Sequence, residues 1–417
     1  MVAASEAFLA DELDRCSKCG TCLSVCPSYK HFHDETASPR GRLELCRGLS
    51  GAVDTHTKAA VSAVCRCLGC LRCMRSCPSS VRVDVCVQAA AWRTYGSGIQ
   101  GVFRRCVMRG LVPRRRIFRQ VLRAAAAAQA LVGLRSSENS VLRHLPMLGT
   151  RAKLPVLARR DAASIVGRAR VPKTKDRPTV AVFSGCLSNF VYPNVVVDTL
   201  ASMRALGLAV AVPENQTCCG VPAWIAGDHE SARRLARANV SVFEKAGADR
   251  IVTVCASCGR MLKETYPELL DNESGIRFAA KVEDAASLLW PMRAARAGSA
   301  TRASGVGAAE RGIAYHRPCH SVWYDSGEIV RSVEAVTGRE VRMMPDGCCG
   351  CAGTFAMRFP EAGRAVARPI VKAARAGAIG TLLTPCPACM MHLDAVLREA
   401  GLDVKVQHPV SFLARLQ

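Results

Sequence analysis

The sequence predicts a multidomain chain of α+β and α/β class, with an α-helical, cysteine-rich module first and two repeated α/β domains with largely parallel sheets after it. Three observations carry this. Two dense cysteine runs occupy the first eighty residues, a second cysteine pattern recurs at a fixed offset, and strand-like and helix-like stretches alternate through both copies. At 417 residues the chain has length for two or three domains and a sizeable core. The expected boundaries are 1–95 for the first module, 96–178 for an Arg-rich helical linker, and 179–298 and 311–417 for the repeats.

The first module is read from Cys16-x2-Cys19-x2-Cys22-x3-Cys26-Pro27 and Cys67-x2-Cys70-x2-Cys73-x3-Cys77-Pro78. This spacing wraps [4Fe–4S] cubanes: three close thiols grip three irons, and the fourth reaches across to the other cluster. Cys16, Cys19, Cys22 and Cys77 are therefore expected on one cube, and Cys67, Cys70, Cys73 and Cys26 on the other, as in a two-cluster ferredoxin. Zinc knuckles or a disulfide framework are the competing readings, but zinc sites usually take two cysteines and then a gap. A helix over 81–94 should follow the second loop.

The linker stands out by charge. Residues 85–160 hold 15 Lys and Arg against the single acid Glu138, which is most of the net +23 of the chain. Thiolates bound to iron–sulfur clusters would offset part of that excess. Helical runs are expected around 117–134, with a polar connector near 170–178. Such a segment docks an acidic partner, rests on the anionic inner leaflet of a membrane, or is a solvated helical face. Aromatics at 5% and the lack of a recognition module speak against nucleic acid. The longest apolar stretch, 124–134, is interrupted by Gln129 and falls short of the ~20 residues a span needs. No secretory pattern opens the sequence, and 23 cysteines then imply a reducing, cytoplasmic setting. The string Gly96-Ser97-Gly98-Ile99-Gln100-Gly101 follows a helical stretch and has no acid downstream until Glu138, so it is rejected as a dinucleotide fingerprint. No Walker-type loop occurs, and neither nucleotide nor flavin is expected on this chain.

From residue 178 the chain repeats itself. Cys186, Cys218-Cys219-Gly220 and Cys255-x2-Cys258 recur as Cys319, Cys348-Cys349-Gly350 and Cys386-x2-Cys389. Lys281-Val282 with Ser287 and Leu289 likewise echoes Lys405-Val406 with Ser411 and Leu413. Strands are expected at 179–183, 208–212 and 250–254 and at 312–315, 340–344 and 381–383, with helices at 195–206 and 230–246. Each cysteine group then follows the carboxyl end of a strand, where ligands of open α/β sheets bind. Five thiols should gather at one sheet edge, twice. Gly220 and Gly350 would permit the positive φ that two adjacent ligands require.

The doubled Cys…Cys-Cys-Gly…Cys-x-x-Cys pattern resembles the cysteine-rich domain shared by heterodisulfide reductase subunits and the iron–sulfur subunits of glycolate oxidase, lactate oxidation and anaerobic glycerol-3-phosphate dehydrogenase. With the cysteine runs in front, the whole chain is most similar to the glycolate oxidase iron–sulfur subunit. Ser38-Pro39-Arg40-Gly41-Arg42, His316-x2-Cys319-His320 and Cys348-Cys349-Gly350-Cys351-Ala352-Gly353-Thr354 add to the likeness. The resemblance implies one or two further [4Fe–4S] clusters, noncubane where the five-cysteine sets are complete. Cys186, Cys218, Cys219, Cys255 and Cys258 would hold one, and Cys319, Cys348, Cys349, Cys386 and Cys389 the other. Both sets are complete here, whereas some glycolate oxidase subunits keep only part. It also implies an electron-transfer subunit of a flavin-linked 2-hydroxyacid dehydrogenase of glycolate or D-lactate type. An FAD-containing partner subunit would feed it, and a quinone or another acceptor would drain it. The alternatives are a heterodisulfide-reductase-like subunit and a zinc-stabilised scaffold. No residue is read as catalytic. His316 and His320 suit packing at least as well as proton transfer, and Cys46, Cys65, Cys86, Cys106 and Cys351 are expected as buried filler.

Overall fold

The structure is a computed structural model that describes residues 6–50, 58–95, 106–131, 142–144, 153–167, 179–297, 311–353 and 355–416. Three sequence features, the glycine string 96–101, the pair Arg104-Arg105 and the connector 170–178, lie outside the described residues.

The first module is helical, with no strand among its described residues. Its two cysteine loops alternate with short helices, Thr21–Val25 and Pro27–Phe32 after the first and Arg72–Arg75 after the second. Longer helices, Pro39–Ser50, Lys58–Cys65 and Val83–Tyr95, pack behind them around Leu9, Leu43, Val64, Val81 and Val85. The last begins two residues later than expected: the carbonyl of Arg82 is the first to accept a helical bond, from Cys86 N–H at 3.3 Å, and the Arg82 N–H donates to Glu12 Oε2 at 2.7 Å.

The linker differs from expectation. It holds the helix Arg115–Leu131, but also an antiparallel pair, β1 (Leu142–His144) with β2 (Lys153–Pro155), where only helices were expected. The helix is pinned by Arg119 and Arg123 on the buried carboxylate of Asp161 and by Gln129, which donates to Pro155 O and accepts from Leu157 N–H.

The first repeat carries β3 (Thr179–Phe183), β4 (Ala209–Ala211), β5 (Arg250–Thr253) and β6 (Val282–Asp284), and the second carries β7 (Gly312–Tyr315), β8 (Val341–Met343), β9 (Ile379–Leu383) and β10 (Lys405–Gln407). All pairs are parallel, and the orders β4-β3-β5-β6 and β8-β7-β9-β10 are the same arrangement twice. β3 is buried at every position, which is why it reads as a continuous apolar run. β4 starts one residue late because Leu208 N–H still closes the preceding helix on Met203 O, across Gly207 at φ 77°.

The copies clasp each other reciprocally. The helix Pro193–Ala205 of the first packs on Pro409–Ala414 of the second, and Ala285–Ala297 of the first packs on Ser326–Thr337 of the second. Early helix meets late helix both times, the signature of an approximate twofold between the repeats. Trp290, fully buried, crosses this seam and donates to Pro409 O at 3.2 Å. Burying apolar side chains of both copies in shared layers gives a seam worth about 25 cal/mol per Å² of apolar area.

Candidate iron–sulfur centres

The two N-terminal loops have one backbone solution. Two and four residues after the first cysteine, each turns left-handed: Lys18 and Gly20 in one, Gly69 and Leu71 in the other. Glycine accepts this freely; Lys18 and Leu71 do so at a cost of roughly 1–2 kcal/mol each. The turns aim backbone amides at sulfur, with Gly69 N–H donating to Cys67 Sγ at 3.4 Å and Tyr29 N–H to Cys26 Sγ at 3.5 Å. The Ser38–Arg42 motif braces the first loop at both ends. Arg40 reaches Lys18 O and Glu35, while fully buried Arg42 reaches Ser28 Oγ at 3.0 Å, itself against Cys26 Sγ. Gly41 is required, since a Cβ there would sit 1.9 Å from Glu35 O. Cys26 lies among the second-loop thiols, in electrostatic reach of Cys70 and Cys73, and Cys22 lies near Cys16. Burial, then the nearby Cys319 thiol, pushes Cys70 up to about 12.

The repeats build their sites alike. Gly220 (φ 97°) and Gly350 (φ 89°) direct their N–H groups onto Cys218 Sγ at 3.5 Å and Cys348 Sγ at 3.4 Å. Cysteines from three strand ends meet at the edge where the strand order reverses. The ten thiols lie in one continuous series, each in electrostatic reach of the next: Cys186, Cys218, Cys219, Cys258 and Cys255, then Cys386, Cys389, Cys349, Cys348 and Cys319. The two sets are thus joined where Cys255 touches Cys386. Cys219, Cys349 and Cys386 each lie between two neighbouring thiols, whose S–H groups hold them below the ordinary thiol range. Among the described residues no three His, Cys, Asp or Glu side chains surround one point as a single metal ion requires. An all-sulfur donor set with amide N–H groups on sulfur, strung along an edge, fits iron–sulfur clusters.

Contacts between modules order these sites in a line. Cys70 of the second loop lies near Cys319 and Cys348 of the second repeat. Arg75 donates to Cys319 O at 3.2 Å. His320 bridges all three modules, with Nε2 donating to Gly69 O at 2.9 Å and Nδ1 3.0 Å from Ser257 Oγ, which lies 3.8 Å from Cys386 Sγ. The helix Val83–Tyr95 docks elsewhere, on the first repeat: Gln88 and Trp92 press on Gly227, and Gln88 bonds His229 at 3.1 Å. The second cysteine loop thus meets the second repeat's thiols at Cys319 and Cys348, while its Gly69 also approaches Ile225 of the first repeat.

Sequence reasoning missed several residues of this junction. His408 Nε2 donates across the seam to Val254 O at 3.1 Å, and burial holds its imidazole down at about 4. Its counterpart in the first repeat, Asp284, is buried with Oδ2 unpartnered, and burial raises its carboxyl to about 7. Gly259 faces the indole of Trp323. The Lys281/Lys405 echo, which pairs Asp284 with His408, was the available signal. His316 is buried, 3.0 Å from Thr384 Oγ1. Of the five remaining cysteines Cys46, Cys86 and Cys351 are buried and Cys65 is half-buried; Cys106 is exposed, against the expectation of filler, because the helical turn that carries it presents it to solvent.

Comparison with known proteins agrees with this architecture. A family model described as a cysteine-rich domain matches residues 180–263 and 313–394, and one described as a 4Fe-4S dicluster domain matches 12–81. The chain is 27% identical to the probable glycolate oxidase iron–sulfur subunit of Bacillus subtilis (strain 168), over 95% of this chain and 91% of that protein. It is 26% identical to the glycolate oxidase iron–sulfur subunit of Escherichia coli (strain K12), over 94% and 93%. Lactate utilization protein A of Macrococcus caseolyticus (strain JCSC5402) is 30% identical over 56% of this chain and 95% of its own length.

Proposed function

The chain belongs to the family of iron–sulfur subunits represented by these glycolate oxidase and lactate utilization proteins, and from that premise we propose that it carries electrons from a flavin-bearing 2-hydroxyacid dehydrogenase subunit to a quinone or another acceptor. Bound [4Fe–4S] clusters would supply one-electron redox chemistry, complementing the two-electron chemistry of a flavin. We assign Cys16, Cys19, Cys22 and Cys77 to one cubane and Cys67, Cys70, Cys73 and Cys26 to the other. Each five-cysteine set of the repeats holds a further cluster. The residues around them hold and order the sites: Arg40 and Arg42 brace the first loop, backbone amides stabilise thiolate charge, and His320 and Arg75 fix the second loop against the second repeat. The carrying observation is the unbroken run of sulfur from Cys70 through Cys319 to Cys255.

Boundaries at 1–95, 96–178, 179–298 and 311–417 suit this division of labour. A reducing, cytoplasmic setting accords with the 23 cysteines of the chain, 18 of them assigned to clusters. Among the described residues no helix is long and apolar enough to cross a membrane. The helix Arg115–Leu131 does expose Ile117, Val121 and Leu131 beside arginines, which supports peripheral contact with an anionic membrane face.

Anaerobic purification with iron and sulfide assays tests the proposal. In protein equilibrated with dithionite, Cys70→Ser should remove a cubane EPR signal, and Cys349→Ser should alter only the second repeat's signal. Zinc in excess of iron would overturn it in favour of a scaffold. A second reading, direct reduction of a disulfide, is favoured by the completeness of both five-cysteine sets and their contact at Cys255 and Cys386. Turnover of a small disulfide by the reduced protein would select it.

A further inference from the structure

The loop after β8 carries one cysteine that the five-residue set does not use. Cys351 stands two residues past Cys349, is buried, and belongs to the same packed cluster as Cys349, Cys386 and Cys389. Cys319, from the end of β7, lies in electrostatic reach of it. With Cys348, six thiols rather than five gather at the second repeat's sheet edge.

The backbone around Cys351 repeats that of the two N-terminal loops. In those, a Cys-x2-Cys pair has left-handed residues two and four places after its first cysteine: Lys18 and Gly20 after Cys16, Gly69 and Leu71 after Cys67. Counted from Cys348, the same places hold Gly350 at φ 89° and Ala352 at φ 42°, and the place of the second cysteine holds Cys351. The amides follow the same plan. Gly69 N–H donates to Cys67 Sγ and Gly350 N–H to Cys348 Sγ, each at 3.4 Å. The amides of Thr21, Arg72 and Gly353, each two residues past the second cysteine of its pair, turn toward Cys19, Cys70 and Cys351. Amide N–H groups at sulfur favour the thiolate, which is the form that binds iron. An alanine in the left-handed region is uncommon and persists only where its surroundings dictate it.

The first repeat supplies the control. Val221 stands where Cys351 does, and the chain enters the helix Val221–Ile225 directly after Gly220, with no second left-handed turn. The shared fold therefore does not call for the turn at Ala352. The extra thiol and the turn that aims it occur together, in one copy.

We infer that Cys351 is a ligand of the second repeat's iron–sulfur centre, closing with Cys348 a Cys-x2-Cys clasp of the kind that both N-terminal loops use. The two repeats then hold unlike centres, one drawing on five thiols and the other on six. The inference rests on reading the repeats as cluster sites.

The test uses the full-length chain, purified and cluster-loaded without oxygen, in which the sulfur of Cys351 alone is replaced by selenium. Selenium is close to sulfur in size, so the fold should be kept. X-ray absorption at the selenium edge should show iron as a direct neighbour. Carbon as the sole neighbour would overturn the inference. Cys351→Val, which installs the first repeat's residue, should lose the second repeat's EPR signal in dithionite-equilibrated protein, with the cubane signals unchanged. Cys351→Ser, which offers oxygen in place of sulfur, should keep that iron and shift the signal. Unchanged iron content and spectra in both variants would make Cys351 filler. Iron confined to the N-terminal loops, or absent, would overturn the reading of the repeats as cluster sites instead.

Discussion

The two α/β repeats share strand order, connection and cysteine pattern, yet the surroundings of their equivalent sulfurs differ. Where the first has Phe183, Leu187, Val221 and Met261, the second has His316, His320, Cys351 and His392. The first is lined like a core. The second is polar and touches the N-terminal loops. At one pair of positions the difference inverts, with acidic Asp284 in the first and His408 in the second. Identical topology thus supports a terminal position in one copy and a junction in the other, because a fold fixes where ligands gather and leaves their neighbours free.

The largest test of that contrast is electron flow. Removing the second repeat's centre with Cys319→Ser should stop reduction of the first repeat's centre while the cubanes still reduce. Cys219→Ser should leave the second repeat's reduction intact. Freeze-quenched EPR after mixing with a reductant distinguishes them, and equal effects would end the idea of a linear order.

Next comes pH, where the copies should respond oppositely. Asp284 is raised to about 7 by burial, so its contribution is complete below the unfolded value near 4 and is lost as pH climbs through 7, roughly 4 kcal/mol in all. His408 is lowered to about 4 by burial, so its contribution is present above 6.5 and is lost as pH falls toward 4, roughly 3 kcal/mol. Asp284→Asn should flatten the alkaline limb of denaturant stability measured under argon, and His408→Gln the acid limb. Unchanged limbs would mean these groups titrate normally.

A smaller effect is expected at the seam itself. A Cβ on Gly259 would lie 1.9 Å from Cζ2 of Trp323, so Gly259→Ala should cost about 1–3 kcal/mol by overpacking. Adding Trp323→Ala should recover part of it in thermal unfolding. The smallest concerns one copy alone. Asp228 caps the helix His229–Ala246 of the first repeat, while the matching helix Pro360–Ala376 begins at Phe359 with no side-chain cap. Asp228→Ala should cost about 1 kcal/mol. Hydrogen exchange should show fraying only in the first repeat.

Much of this was legible in the chain because its signals are local. Cysteine spacing, a fixed-offset repeat and apolar runs such as Thr179–Phe183 each depend on near neighbours in sequence, and the six expected strands fell within two residues of expectation, whereas the short fourth strands β6 and β10 were not expected. What escaped depends on packing between distant segments. Cys255 meets Cys386 only because early and late helices of the copies exchange partners, and His320 joins Gly69 to Ser257 only after three modules have docked. The pair β1–β2 was hidden for another reason: three-residue strands carry too little periodicity to outweigh the helical bias around them.

The meeting of Cys255 and Cys386 has a consequence for what such a molecule can become. These residues occupy matching places, so they lie beside the axis that relates the halves. Two identical chains assembled about that axis would be compelled to mirror every change, and a neighbour gained on one side would be gained on both. Tying the halves into a single polypeptide lifts that constraint, letting the neighbours of one set of sulfurs change while those of the other stay as they are.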